Sequence, residues 1–547
     1  MERAHVGYRY GPEMDRRRFI KRCLAAGIAV PALPWLLDAC ASSTKAGTSV
    51  SPTSRPLATN QDLTIGATQD LYVTSGPKSA LGSYPLNANV YESLIRLEPD
   101  YSTSPWLAQR WEQTATNTFR FHLRPGVTFH DGSPFTAADV KYTFDRIASA
   151  GGGLVGLGPD STVVVDPMTV DVTPKKANLR IFEEVVHPQY SIYKAGTQPG
   201  PGVPGTGPFR FTSYVTQSRL AVTRNDSYWG TKAGPSTITF QFEADANSRS
   251  LALSSGQLDI AIDVPRPSVT SLEHQSGVKI ASAPVGLYNA FYINIHGAAP
   301  YTIGADPAVR SALQMGIDRP GLIKSVFGGL GAPAQTLLPP ALLGPAASAV
   351  KGWSYDPAKA KAALDSAGWT AGGGGVRSKG GTPLQLVLVN GFPDAAANSG
   401  TPEFVQANLA QIGVGITIKT EADGPSYSAA LAQGAGDLFL ETGNQNDANP
   451  AFLPEILFFD SPDSSYAKLF APGPAFDQQV SAALAATTDA QAKQAMAEAI
   501  HQVVDVSAVL VELAALKRIF GLRSNVEGLV AHPSDVNQSW ASLYRVA

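Results

Sequence analysis

The side chains best suited to chemistry fall in one stretch, Asp437 to Leu453. There the apolar run Leu438-Phe439-Leu440 gives way to Asn444-Gln445-Asn446-Asp447, so a strand ends in a polar loop. In an α/β sheet, loops at strand ends are the usual place for ligand contacts. This loop offers amides that both donate and accept, and one carboxylate, Asp447, able to pair with a cation. Asp447 would serve equally well as the cap of a turn, and both readings stay open from the residues alone. The chemistry on offer is that of holding a solute.

Bond-breaking chemistry finds little support. The chain has no His-Glu-x-x-His, no Gly-x-Ser-x-Gly, and no Gly-x-Gly-x-x-Gly at a strand-to-helix turn. Its eight histidines are scattered without metal-ligand spacing, and His122 and His130 read as structural residues of a hairpin. The run Gly372–Gly375 lacks the Gly-Lys-Ser/Thr of a phosphate loop and reads as a hairpin tip. Arg310 and Asp318 read as a helix-surface ion pair or as caps. We therefore expect no enzyme, no metal and no cofactor. The net charge of −3 gives no global basic field for nucleic acid. With 44% hydrophobic and 16% charged residues in 547, the composition is that of a folded soluble body of several domain-sized units. Cys23 and Cys40 both precede residue 41, so the body holds no disulfide and no thiolate site.

The elements that must position the loop are legible from periodicity. Phe119, Phe121 and Leu123 alternate with Arg120, His122 and Arg124, a half-buried strand pairing back on Leu107–Glu112. Thr136 with Asp139 forms an imperfect capping box, and Val140, Phe144 and Ile147 give the helix behind it one apolar face. Val163–Val165 and Val170–Val172 are strand-like around the Asp166-Pro167 turn. Asp306-Pro307 and Asp356-Pro357 each open a helix, with aspartate as N-cap and proline at N1. From residue 356 to 418 strands and helices alternate, which predicts an α/β unit. Thr488 and Gln491 cap another helix, and Val509–Leu513 is a buried strand.

The N-terminus reads as a targeting segment. Asp15-Arg16-Arg17-Arg18-Phe19-Ile20-Lys21 resembles a twin-arginine export motif, with Arg16 and Arg17 as the pair. Cys23–Leu37 is apolar and has the length of a signal core, too short to span a membrane as a helix. Leu37-Asp38-Ala39-Cys40 resembles a lipobox, although Asp38 departs from its usual small or apolar residue, and makes Cys40 the expected lipidation site. Residues 1–40 are thus the signal. Residues 41–60, rich in Ser, Thr, Pro, Ala and Gly, form a flexible linker. The start is Met1 or Met14.

Several words in order identify a resemblance: Tyr91-Glu92-Ser93-Leu94, Pro105-Trp106-Leu107-Ala108, Phe121 through Gly132, Phe135 through Val140, then Pro204-Gly205-Thr206-Gly207-Pro208-Phe209. Together they resemble the extracellular solute-binding protein family 5, the peptide/nickel class of ABC-importer receptors. The resemblance implies an α/β, two-lobed periplasmic-binding-protein type II fold, with an extra subdomain inserted in lobe 1 and a hinged ligand cleft. It implies lobe 1 over 61–87, 205–290 and 508–547, the inserted subdomain over 88–204, and lobe 2 over 291–507. It places the loop Tyr72–Asn89 at the cleft mouth.

The resemblance and loop position give Tyr72, Tyr91, Gly205, Thr206, Tyr288, Asn289, Asn390, Asn444, Asp447 and Phe452 as ligand contacts. Peptide-binding relatives carry an aspartate just after the strand that ends here, facing the peptide's ammonium. Asn444 holds the aligned position, and Asp447 is near enough to substitute. The implied partners are a peptide or other small solute, ABC permease subunits, and the membrane through a lipid anchor, for a monomer in the cell envelope. A secreted hydrolase or a ligand sensor on the same fold are the alternatives. Ligand identity stays open among peptide, nickel, haem, sugar and other solutes.

Overall fold

The computed structural model describes residues 55–68, 86–151, 153, 155–372, 374–391, 400–460 and 464–547, with the backbone alone at 72–73 and 81–82. Arg16, Arg17, Cys40 and the Tyr72 side chain lie outside these residues. Along the chain, β1 is Leu63–Ala67. Next come β2 Ala108–Ala115, β3 Thr118–Leu123, α1 Ala137–Ser149, β4 Thr162–Asp166 and β5 Thr169–Val172. β6 Phe209–Val215, β7 Arg219–Arg224, β8 Thr237–Phe242 and β9 Ile260–Ile262 precede the long β10, Val278–Ile293. β11 Gln385–Asn390, β12 Gly415–Thr420, β13 Leu438–Asn444, α2 Phe452–Phe458 and β14 Leu510–Arg523 follow.

One sheet of 11 strands runs in the order β6-β7-β8-β1-β9-β14-β10-β13-β11-β12, with the two-residue strand Ala332–Pro333 also on β14. Its two halves meet in a shared pair of strands. Val278–Ser282 of β10 pair with Ile519–Arg523 of β14, while Leu287–Tyr292 pair with Leu510–Leu516 and also with β13. The register shifts between Ser282 and Leu287 and again at Asn289/Ala290. Such irregularities bend a strand and loosen the ladder locally.

Each half is covered on both faces. Ile65, Val222, Phe240 and Trp540 fill one side of the N-terminal half, and Leu253, Ala261 and Val264 the other. In the C-terminal half Tyr292, Phe439, Phe470 and Met496 pack on one face, and Phe291, Leu388, Leu440 and Leu409 on the other. This is the period-two alternation of strands buried on both sides. A separate four-stranded sheet, β2-β3-β5-β4, packs with α1 around Phe119, Phe121, Phe144 and Tyr190. The ring of Phe182 stands edge-on to Phe119 and Phe121 at 5.3 and 5.5 Å, a geometry worth about 0.5–1.5 kcal/mol per pair.

The local signals read from sequence are realised. The Thr136 N–H donates to Asp139 Oδ2 at 2.8 Å. Asp306, Asp318 and Asp356 each cap a helix through a backbone N–H, so Asp318 is a cap. Arg310 donates to the carbonyls of Ser507, Gly304 and Ala305 and is structural. His122 pairs with Glu112 on the exposed hairpin. Of the glycine run, Gly372, Gly374 and Gly375 are described and lie between the paired strands Thr370–Ala371 and Arg377–Lys379.

Candidate functional site

β13 is buried through Leu440, then Glu441, Thr442, Gly443 and Asn444 are all partly exposed. The loop beyond it is held from three directions. Within the loop, Asp447 Oδ1 accepts from Gln445 Nε2 at 2.8 Å and from the Asn449 N–H at 3.0 Å. From the C-terminal segment, Asn537 Nδ2 donates to the Asn446 carbonyl at 3.0 Å and the Ser534 hydroxyl to Asn446 Oδ1 at 2.8 Å. Asn444 Nδ2 donates to Asp535 Oδ1 at 3.3 Å. From the unit around the four-stranded sheet, Glu184 Oε1 accepts from Asn449 Nδ2 at 2.6 Å, and the Glu183 carbonyl from the Ala448 N–H at 3.0 Å. The His187 and Phe452 rings lie 5.3 Å apart across the same seam.

The seam is acidic and buried. Asp447 has no accessible surface and Glu184 is 2% exposed. Burial holds both carboxyls well above the usual carboxylate range, and the proximity of Glu184 raises Asp447 further. Glu455, on α2, is pushed up to about 7 by burial. His187 is held down to about 4 by burial alone. Asp447 Oδ2 has no hydrogen-bond partner. Arg518, on the shared strand β14, has its guanidinium 3.4 Å from Asp263 and 3.6 Å from Asp535, so Asn444, Asp535, Arg518 and Asp263 form a polar chain across the junction of the halves.

Pairing of β10 with β13 sets Tyr288 opposite Gly443, Asn289 opposite Thr442 and Leu287 opposite Asn444. Asn289 Nδ2 donates to Thr442 Oγ1 at 2.8 Å. Asn390 ends β11 beside Leu440, 5% exposed, its Oδ1 without a hydrogen-bond partner. Tyr288, Asn289, Asn390, Asn444, Asp447 and Phe452 are therefore gathered at one end of the C-terminal half-sheet and the loop that leaves it.

Tyr91, Gly205 and Thr206 belong to another junction, and their polar atoms are used inside the chain. The Tyr91 hydroxyl donates to the carbonyls of Gly200 and Val203. The Thr206 hydroxyl donates to buried Glu92 at 2.7 Å, which also accepts from Tyr228 and Trp229. A Cβ on Gly205 would stand 1.9 Å from the Val90 carbonyl oxygen. His130 closes this crossing: its Nδ1 accepts from the Gly205 N–H at 3.2 Å and its Nε2 meets the Gly207 carbonyl at 3.1 Å. This accounts for the histidine as a structural residue.

Sequence reasoning missed a group on the same strand end. Glu441 faces the side of the sheet that carries Phe439, among Tyr288, Tyr292, Tyr427 and Tyr466. The Tyr466 hydroxyl donates to its two oxygens at 3.2 and 3.4 Å, and the Tyr288 and Tyr292 hydroxyls lie 3.3 Å apart beside it. Burial pushes Glu441 up to about 7, and the same burial, with the carboxylate nearby, raises all four tyrosines. The available signal was a carboxylate at an inward position of an apolar strand. The tyrosines come from three separate segments and could not be assembled by spacing.

Comparison with known proteins accords with this architecture. Residues 102–465 match the family model described as the middle part of bacterial extracellular solute-binding proteins, family 5. The glutathione-binding protein GsiB of Pectobacterium atrosepticum is 28% identical over 428 residues, 74% of this chain and 79% of that protein. GsiB of Escherichia coli K12 is 27% identical over 358 residues, 63% of this chain and 66% of its own length. Among solved structures, Brucella suis NikA in complex with Fe(III)-EDTA superposes with a TM-score of 0.77 at 23% identity, covering 88% of this chain and 99% of NikA. Helicobacter pylori DppA in complex with the peptide STSA gives 0.74 at 20% identity, covering 90% and 99%. The fold is the two-lobed type II periplasmic-binding-protein fold. The chain belongs to family 5 of the bacterial extracellular solute-binding proteins.

Proposed function

We propose that this chain is the exported, lipid-anchored receptor of an ABC importer, capturing a peptide or another small solute by closure of its lobes and passing it to a membrane permease without chemical change. The observation that carries this reading is the seam itself. Two long strands pass from one half-sheet into the other through a stretch of shifted register, and a polar loop at the end of β13 reaches across to Glu184 and Asp535. A solute that bridges both sides stabilises the closed arrangement by its differential contacts, and the closed form is what a permease can read. We assign lobe 1 to 61–87, 205–290 and 508–547, the inserted subdomain to 88–204 and lobe 2 to 291–507. The contacts proposed are Tyr288, Asn289, Asn390, Asn444 and Phe452; Asp447, which has no accessible surface, shapes the loop instead. The names of the relatives suggest peptides, glutathione and metal chelates as the first solutes to try.

The test is a thermal-shift screen of the mature protein across those classes, followed by small-angle scattering with any solute that binds. A bound solute should raise Tm and reduce the radius of gyration. A radius unchanged at saturation overturns lobe closure.

A further inference from the structure

We propose that Glu441, at the emerging end of β13, receives the positively charged end of the solute, a primary ammonium or a guanidinium. This rests on the solute-receptor reading and names the class of ligand it would take.

Four observations converge on Glu441. It lies in the last stretch of β13, where the strand emerges from the core toward the polar loop, and it is partly exposed. Tyrosines stand around it: Tyr288 and Tyr292 from β10, Tyr427 from the helix Gly424–Gln433, and Tyr466. Among the described residues no lysine, arginine or histidine pairs with it, and its donors are tyrosine hydroxyls. The backbone around it is shaped to admit large rings. A Cβ on Gly443 would stand 2.3 Å from the Tyr288 hydroxyl, and one on Gly391 would stand 2.4 Å from the Tyr427 ring.

A carboxylate taken out of water without a cation is costly, and a chain that needed only packing would place an apolar side chain there. A partly exposed carboxylate beside tyrosine hydroxyl oxygens instead offers acceptors to an ammonium or guanidinium. Asp447, the nearest other candidate for that charge, has no accessible surface, lies behind Gln445 and Asn449, and is already engaged in shaping the loop.

Because burial holds Glu441 at about 7, it is part-protonated near neutrality, and an arriving cation favours its charged form. Binding at pH 6–7 should therefore release protons. The tyrosines that face it are all raised and do not titrate in that window.

The test uses the mature protein, its Glu441→Gln and Asp447→Asn variants, and a fixed panel. Gly-Lys-Gly, Gly-norleucine-Gly, glutathione, agmatine and putrescine are the cationic probes, each with a free ammonium or guanidinium, N-acetyl-Gly-norleucine-Gly is the isostere without one, and nickel–histidine is the other class. Glu441→Gln keeps the shape and removes a buried charge, so it should fold. The expected result is that a cationic probe raises Tm of the parent protein and binds Glu441→Gln about 10- to 150-fold more weakly. Asp447→Asn should change that affinity less than threefold. Calorimetry in two buffers of different ionisation enthalpy should show proton release with the parent and none with Glu441→Gln. Equal affinity of the parent and Glu441→Gln for the bound probe overturns the assignment. Binding confined to the isostere or to nickel–histidine overturns it too, while leaving the receptor reading intact. If no probe of any class binds, the receptor reading falls with it.

Discussion

Asn449 Nδ2 donates to Glu184 Oε1 at 2.6 Å, joining the loop that follows β13 to the unit built around the four-stranded sheet. Both residues are buried, and Asn178 Nδ2 satisfies the other oxygen of Glu184 at 2.8 Å. The contact ties together segments 265 positions apart in sequence, so its strength bears on how readily the seam opens.

Removing one partner of a buried hydrogen bond costs the desolvation of the other, about 1–3 kcal/mol. Asn449→Ala should therefore lower the free energy of unfolding by about that amount and enlarge the radius of gyration without solute. Urea denaturation and small-angle scattering measure the two. Asn449→Asp should be worse at pH 8, since it places another carboxyl beside Glu184 and Asp447.

The crossing at Gly205 predicts a contrast between two glycines. An added methyl at Gly205 meets the Val90 carbonyl at 1.9 Å, and backbone cannot swing aside. At Gly374 nothing lies within 4 Å. Gly205→Ala should cost about 1–3 kcal/mol or more, as overpacking does, and Gly374→Ala should stay within about 0.5 kcal/mol of the parent. Matched urea midpoints compare them.

Glu441 predicts a pH-dependent difference. Its native carboxyl titrates at about 7, against roughly 4.3 when unfolded, so the native state binds more protons across that interval. Its contribution to stability is complete below about pH 4 and is lost as pH rises through 7. Glu455 acts in the same sense, whereas His130, His187 and His532, each held to about 4, act in the opposite sense between about 4 and 6.5. The overall profile mixes these terms, so the informative quantity is a difference. The stability of Glu441→Gln relative to the parent should grow from pH 4.5 to pH 8. A difference that is flat across this range would place Glu441 near its ordinary value.

Anchoring is tested on the N-terminal segment. Cys40→Ala should move the protein from the membrane fraction to the soluble one. Lysine at both Arg16 and Arg17 should leave precursor inside the cell. Fractionation followed by blotting reads both outcomes, and unchanged sedimentation of Cys40→Ala refutes lipidation at that cysteine.

Sequence by itself determined what depends on neighbours along the chain. The caps at Asp306 and Asp356, the alternation of Phe119, Phe121 and Leu123, and the turn at Asp166-Pro167 each rest on spacing within a few residues. The ordered words from Tyr91 to Phe209 placed the chain in its family. Sequence also picked out the polar loop after β13, since an apolar run that turns polar marks where a strand leaves the core. Tertiary structure decided which polar groups meet. Tyr91 and Thr206 proved to be spent on Gly200, Val203 and Glu92, partners that lie in other segments of the chain. Asp447 turned inward because Gln445 and Asn449 fold over it, and Glu441 gained Tyr288 and Tyr292 because β10, ending at Ile293, pairs with β13, which starts at Leu438. A carboxyl's ionisation and accessibility depend on what surrounds it in space, and one-dimensional spacing carries no record of contacts closed over such distances.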